Sequence, residues 1–183
     1  GGFNLKIFGG LVVAGMLSVG TAYATDVAGP ENASKQIAFL QAALLVGSTP
    51  LRALGTIGGN LLQRPRCMYF RHPDFPCFKK GGRTCFAAAG EHRDYHAILA
   101  RGRCVMAHPS DLAPVLLALD AEAVLAGPEG GSTVPLRRLF LGPDQVRETV
   151  LRHDQLLVEV RLPAPGHGSR QVFLKQRARH GVD

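Results

Sequence analysis

Four cysteines, Cys67, Cys77, Cys85 and Cys104, are the side chains best equipped for chemistry in this chain of 183 residues. Nine, seven and eighteen residues separate them, and no two form a CxxC pair. Zinc knuckles are usually built from such close pairs, so the spacing weakens a zinc ribbon without removing it. Three uses remain open. The thiols could form two disulfides in an oxidising compartment, stay as buried thiols in a reducing one, or hold an iron–sulfur cluster as four thiolates. Charge bears on the choice, because Lys79, Lys80, Arg83 and Arg103 each lie within three residues of a cysteine. A cluster with four thiolates is anionic and is stabilised by nearby cations and N–H donors. A four-thiolate zinc would be anionic too, whereas disulfides need no cations.

Just upstream, Gly55-Thr56-Ile57-Gly58-Gly59-Asn60 can set several backbone N–H groups around a pyrophosphate, with Thr56 and Asn60 as side-chain partners. Glycine lets a phosphate approach the backbone. The run lacks the lysine of a P-loop and the GxGxxG spacing, and a plain turn is the commoner use of a lone glycine pair. Ser110 and Asp111 divide in the same way. They are good helix caps, or Asp111 accepts a hydrogen bond from a ribose hydroxyl. His92, His96 and His108 stand among Arg and Pro and read as solvated loop residues, not metal ligands. No paired carboxylates and no Ser/His/Asp order point to acid–base or nucleophilic catalysis, so no catalytic residue is assigned.

The elements that must position these groups follow from periodicity. Residues 25–33 are polar and turn-rich, a linker. Ile37, Leu40, Ala43 and Leu44 have helical spacing, and Gly47-Ser48-Thr49-Pro50 ends that helix. Residues 61–104 read as loop, rich in Pro, Gly, Arg and Cys. Ser110 opens a helix whose apolar face is Leu112, Val115, Leu116 and Leu119, with Pro114 tolerated in the first turn. Glu122–Ala126 and Ser132–Pro135 are strands joined by the turn Pro128-Glu129-Gly130-Gly131. Leu156–Leu162 alternates as a half-buried strand, and Gln171–Lys175 starts another. A helix followed by antiparallel strands makes an α+β fold.

Bulk properties narrow the class. The net charge is +7, and 46% hydrophobic residues argue for a globular chain. From Arg64 to Arg103 there are nine Lys and Arg against three acids, so a surplus of six sits in the cysteine segment. A nucleic-acid binder would interleave aromatics with its basic residues, and Arg137, Arg138 and the terminal KQRARH do not. Lys6, the apolar run IFGGLVVAGMLSVG and Ala22-Tyr23-Ala24 make a secretory signal pattern or a buried apolar segment; the run is short for a membrane span. The chain starts at Gly1, which predicts a fragment or a non-native start. Residues 1–33 are set apart as a signal-like segment and linker, and 34–183 as the domain.

The runs LRALGTIGGNLLQRPRCMYFR, CFKKGG, YHAIL and HPSDLAPVLLALDA occur in that order. Together they resemble the FAD-binding medium subunit of molybdenum hydroxylases, the xanthine dehydrogenase and aldehyde oxidoreductase family. They are similar in particular to the subclass whose FAD subunit carries a 4Fe–4S cluster in an inserted loop. The resemblance covers about residues 35–178. It implies the second subdomain of a PCMH-like FAD-binding domain, with 61–104 as the iron–sulfur loop. It also implies that Thr56, Gly58, Gly59 and Asn60 hold the FAD pyrophosphate, with Gly55 and Leu62 lining the site. Ser110 and Asp111 would meet the ribityl–phosphate region, Leu156 and Leu157 would pack near the flavin ring, and Lys175 would stand beside it. Cys67, Cys77, Cys85 and Cys104 would ligate the cluster.

The implied partners are a large subunit with the molybdenum cofactor and a small subunit with 2Fe–2S clusters. The implied role is electron transfer, in the oxidation of aldehydes or N-heterocycles, to FAD and an external acceptor, in a bacterial periplasm or cytoplasm. Two features depart from the pattern. Gly1-Gly2-Phe3-Asn4-Leu5 only echoes the family's first glycine turn, and the family's C-terminal domain has no counterpart before Asp183. The competing class is an exported, non-enzymatic binding module stabilised by disulfides or zinc.

Overall fold

The computed structural model describes residues 5–8, 54–92, 95–99, 101–163 and 172–175, the first four as backbone only. The helix expected over residues 34–46, the linker at 25–33 and the apolar run after Phe8 lie outside these. The chain divides into two compact units. One comprises residues 1–61, 110–137 and 151–183, the other 62–109 and 138–150.

The first unit is a four-stranded antiparallel sheet with helices, which matches the α+β expectation. Strands β1 (Leu5–Phe8), β2 (Glu122–Gly127), β3 (Gly130–Pro135) and β4 (Leu156–Leu162) lie in the order β1-β4-β2-β3. The β2–β3 hairpin closes where the sequence puts its turn, with Gly127 opposite Gly130. Gly130 sits at φ 105°, a left-handed value that glycine adopts without strain. β4 pairs with β2 in a register that shifts at Val124/Leu125, and with β1 so that Leu5 faces Leu162. Alternation along β2 buries Ala123 and Leu125; β4 buries Leu157 and, past the register shift, Val160 and Leu162.

Helix α1 (Ile57–Leu61) and helix α3 (Leu112–Ala118) pack together in this unit. Ile57, Leu61, Leu112 and Leu116 are almost completely buried. Each contributes about 1.5–3 kcal/mol through the apolar area it removes from water. Of the expected inward face Leu112 and Leu116 are buried and Val115 and Leu119 half-buried, whereas Pro114 is exposed in the first turn, where its missing N–H costs nothing. After α3 the Ala121 N–H donates to the Leu116 carbonyl at 3.0 Å and the Asp120 N–H to that of Leu117 at 3.1 Å. This is a Schellman stop, and its left-handed position is taken by Asp120 at φ 51°. Glycine bears that conformation with less strain. Asp120→Gly is therefore expected to raise stability by roughly 0.5–1 kcal/mol, read as a higher denaturant midpoint. Its ion pair with Arg137, 4.0 Å long and exposed on both sides, offsets little of that gain.

One sequence expectation fails here. Val172–Lys175 carries no strand pairing, and Val172 and Leu174 are 83% and 87% exposed. Alternation alone does not make a strand without a neighbouring ladder. This segment is instead tied down by Lys175.

Among its described residues the second unit has isolated bridges, Cys77 with Thr84 and Phe140 with Thr149, and no sheet. Helix α2 (Met68–Arg71) and a 3-10 turn (Phe78–Lys80) are its regular pieces before residue 110. Aromatic rings stand in for a core: Tyr69 meets Phe75 edge-on at 5.0 Å, Phe86 in a stack at 5.8 Å and His92 edge-on at 5.7 Å. Residues 138–150 return as a strap. The Arg103 N–H donates to Asp144 Oδ1 at 2.8 Å, Arg64 pairs with Glu148 at 3.2 Å, and His108 packs edge-on against Phe140 at 5.0 Å. Helix α4 (Leu136–Leu139) leads into this strap; it buries Leu136 and Leu139 and leaves Arg137 and Arg138 exposed, as expected of a solvated basic face.

Candidate functional site

Each unit holds one group of the chemistry-bearing residues. In the first unit, Thr56 precedes α1 and its hydroxyl accepts the Gly59 N–H at 2.9 Å, while its carbonyl accepts the Asn60 N–H at 2.9 Å. A Cβ on Gly59 would stand 3.1 Å from Thr56 Oγ1 and press on this cap. Two of the turn's amides are thus used internally. Ile57 and Gly58 open α1 beside them, and both are buried.

The same unit brings Ser110 to this turn and Lys175 to Asp111. Ser110 is buried. Its hydroxyl donates to Asn60 Oδ1 at 2.6 Å and accepts the Ala113 N–H at 3.1 Å. It therefore caps α3 and fixes the Asn60 side chain at once. Asp111, expected to face the helix N-terminus or a ligand, takes the Lys175 ammonium at 2.9 Å. Ser110→Ala is expected to cost about 1–2 kcal/mol, since it removes a cap and the donor that orients Asn60. Thermal unfolding would show this as a lower midpoint.

Other expected residues are placed differently. Leu157 is buried and Leu156 is 71% exposed, on the opposite face of β4, so the two do not pack against one common group. Gly55 lies just before the turn and is half-buried; Leu62 is the first residue of the second unit.

In the second unit, Cys67, Cys77, Cys85 and Cys104 line one cavity with Lys79, Phe86 and Met106. It is small, with about 20 Å³ of room for water-sized atoms. All four thiols are free, which speaks against the disulfide reading. Among the described residues, no three His, Cys, Asp or Glu side chains are grouped to hold one metal ion. A tetrahedral zinc draws its sulfurs to about 2.3 Å from a single centre.

The loop 77–84 is built tightly. The Cys77 carbonyl accepts the N–H groups of Lys80 and Gly82 at 2.9 and 3.0 Å, and the Phe78 N–H donates to the Thr84 carbonyl at 2.9 Å. Of the four cations read as cluster partners, only Lys79 is buried. It is 4% exposed, and its ammonium donates to the Gln145 carbonyl at 2.7 Å. Lys80 turns outward to the His72 carbonyl, Arg83 is exposed, and Arg103 lies over the Phe78 ring at 4.3 Å. Burial pushes the Cys104 thiol above its ordinary pKa. The Met106 backbone pulls it down, Cys85 raises it, Lys79 lowers it and Cys67 raises it, in that order of size.

The histidines correct the sequence reading. His96 is half-buried, with Nε2 3.4 Å from Cys67 Sγ, and its ring meets His92 edge-on at 5.1 Å. Burial, then the neighbouring His92, holds the His96 pKa below its usual value, against a rise from the His92 backbone. His108 is also half-buried, and burial lowers its pKa against the opposing Glu148 charge. No spacing rule in the sequence joins residues 67 and 96.

Solved structures place the fold in a class. The chain aligns over its whole length with 46% of a chain of carbon monoxide dehydrogenase from Hydrogenophaga pseudoflava, at a TM-score of 0.58 and 20% identity. It aligns over 92% of its length with 40% of a chain of reconstituted CO dehydrogenase from Oligotropha carboxidovorans, at a TM-score of 0.53 and 18% identity. At these identities the likeness is one of fold. The sequence profile of the FAD binding domain in molybdopterin dehydrogenase matches residues 13–165, so this chain belongs to that family. It is 36% identical over 172 residues to the aldehyde oxidoreductase FAD-binding subunit PaoB of Escherichia coli K12, covering 91% of this chain and 54% of that protein. The carbon monoxide dehydrogenase medium chain of H. pseudoflava is 36% identical over 75 residues, 40% of this chain and 25% of that one. The chain spans about half the length of the first of these relatives.

Proposed function

We propose that this chain is part of the electron-transfer FAD and iron–sulfur subunit of a molybdenum-dependent hydroxylase. In that enzyme a large subunit with the molybdenum cofactor oxidises an aldehyde or an N-heterocycle, and a small subunit carries 2Fe–2S clusters. Family membership supports the flavin. For the cluster, the carrying observation is the cavity lined by four free cysteines with a buried lysine in its wall. Among the described residues the Lys79 ammonium meets a carbonyl and no acid, and an anionic group among the sulfurs would offset the cost of burying it.

The residues divide the work. The turn of Thr56, Gly58, Gly59 and Asn60, with Asn60 held by Ser110, would bind the FAD pyrophosphate, and Asp111 with Lys175 would border the ribityl chain. Cys67, Cys77, Cys85 and Cys104 would hold a 4Fe–4S cluster, and Lys79 would balance its charge. Flavin supplies two-electron chemistry and the cluster one-electron transfer; the protein supplies binding, orientation and electrostatics. No residue is assigned acid–base work on the substrate. Among the described residues no helix is long and apolar enough to cross a membrane.

A visible and EPR spectrum of anaerobically purified protein tests this reading. It expects broad absorption near ~400 nm that bleaches on reduction as a cluster signal appears. A colourless protein with four titratable thiols would overturn it.

A further inference from the structure

His96 is the one described side chain whose nitrogen reaches a cysteine sulfur, at 3.4 Å between Nε2 and Cys67 Sγ. Nothing in the loop's own geometry requires the pairing, which spans 29 residues. The ring is also held in place. His92 meets it edge-on at 5.1 Å and is itself met edge-on by Tyr69 at 5.7 Å. Tyr69 is in turn packed by Phe75 and Phe86. This row of rings leaves His96 little freedom to turn away from the sulfur.

We propose that His96 donates an N–H···S hydrogen bond to the Cys67 ligand of the cluster and thereby sets the cluster's reduction potential. The inference rests on the iron–sulfur reading above and adds a residue outside the four-cysteine set. A metal-bound thiolate has no proton and can only accept. Nε2 must therefore carry a proton when that sulfur is metal-bound. Nδ1 is buried and makes no hydrogen bond of normal geometry among the described residues. The reduced cluster carries one more negative charge than the oxidised one. A donor to its sulfur stabilises the reduced form more, and the potential rises. The bond is to one sulfur only, so it also makes the cluster electronically lopsided toward Cys67. His96 is a positioning and tuning residue; it is not a fifth ligand.

The test is redox titration by EPR on the full chain, loaded anaerobically with iron and sulfide, as wild type, His96→Leu and His96→Gln. Leucine removes the donor, and glutamine keeps an N–H of similar reach. The expected result is equal iron in all three, a more negative midpoint and a shifted EPR g-anisotropy in H96L, and a return toward wild type in H96Q. Equal iron with identical potentials and spectra overturns the role of His96 alone. Equal iron with the same shift in both variants also overturns it, because the effect would then be loss of the ring and not of the donor. If H96L loads no iron while H96Q loads fully and keeps the wild-type potential, the donor is needed even to assemble the cluster, and the proposal stands. If neither variant loads iron, His96 acts in folding and its tuning role is overturned. Failure of the wild type to take up iron overturns the iron–sulfur reading first and this inference with it.

Discussion

Replacing Gly82 by alanine is expected to destroy the cysteine cavity. A Cβ built there would lie 1.8 Å from the Pro76 carbonyl oxygen, 2.5 Å from its carbon and 3.0 Å from the Cys77 carbonyl oxygen. These are backbone atoms of the segment that delivers Cys77, and no side-chain rotation relieves the clash. The Gly82 N–H also donates to the Cys77 carbonyl, so moving either strand breaks a bond that closes the loop. The cost should exceed about 4 kcal/mol, the range of severe backbone or packing damage. The neighbouring glycine is the internal control. Gly81 sits at φ 92° but has open space around its missing Cβ, so G81A should cost only about 1–2 kcal/mol. Limited proteolysis would read the difference as rapid cleavage within residues 62–109 of G82A and near-normal protection in G81A. Equal resistance in both would contradict the loop geometry.

Lys79→Met is expected to act with opposite signs on the empty and the loaded chain. Lys79 is buried, and among the described residues it forms no ion pair. In chain without iron, methionine removes an uncompensated charge at the expense of one hydrogen bond to Gln145. Stability should stay within about 1 kcal/mol of wild type or rise. In the loaded chain the same change deprives an anionic cluster of a cation held in low dielectric. A loss of about 2 kcal/mol is expected, or roughly thirty-fold faster loss of iron to a chelator at equal association rates. Parallel denaturation of the iron-free chain and chelation of the loaded chain check both halves. If both forms change alike, Lys79 serves only its bond to Gln145 and the charge-balance account fails.

Local signals made much of the first unit legible. The β2–β3 hairpin followed from the turn Pro128-Glu129-Gly130-Gly131 between two strand-like runs, and α3 from Ser110 and the spacing of Leu112, Val115, Leu116 and Leu119. Its capping hydroxyl and buried face are where those signals put them. Gln171–Lys175 misled because alternation reports a half-buried strand only if an edge is there to pair with, which a sequence pattern does not show.

The second unit was legible in composition and not in arrangement. The cysteines and the basic surplus were visible, but adjacent Lys79 and Lys80 look alike in sequence. The 3-10 turn buries the first and leaves the second outside. The strap at 138–150 and the approach of His96 to Cys67 depend on contacts between distant residues. Charge and loop chemistry made His92, His96 and His108 look solvated. The aromatic packing of Tyr69, Phe75 and Phe86 that shelters His92 and His96 emerges only when the loop closes on itself.

The central claim is that the four cysteines hold an iron–sulfur cluster in a flavin subunit. The most direct measurement is iron, acid-labile sulfide and flavin per chain on one anaerobically purified sample. The account predicts about four irons and matching sulfide per chain, with FAD released on denaturation. Protein that contains neither iron nor sulfide, whether as isolated or after anaerobic loading, would contradict it.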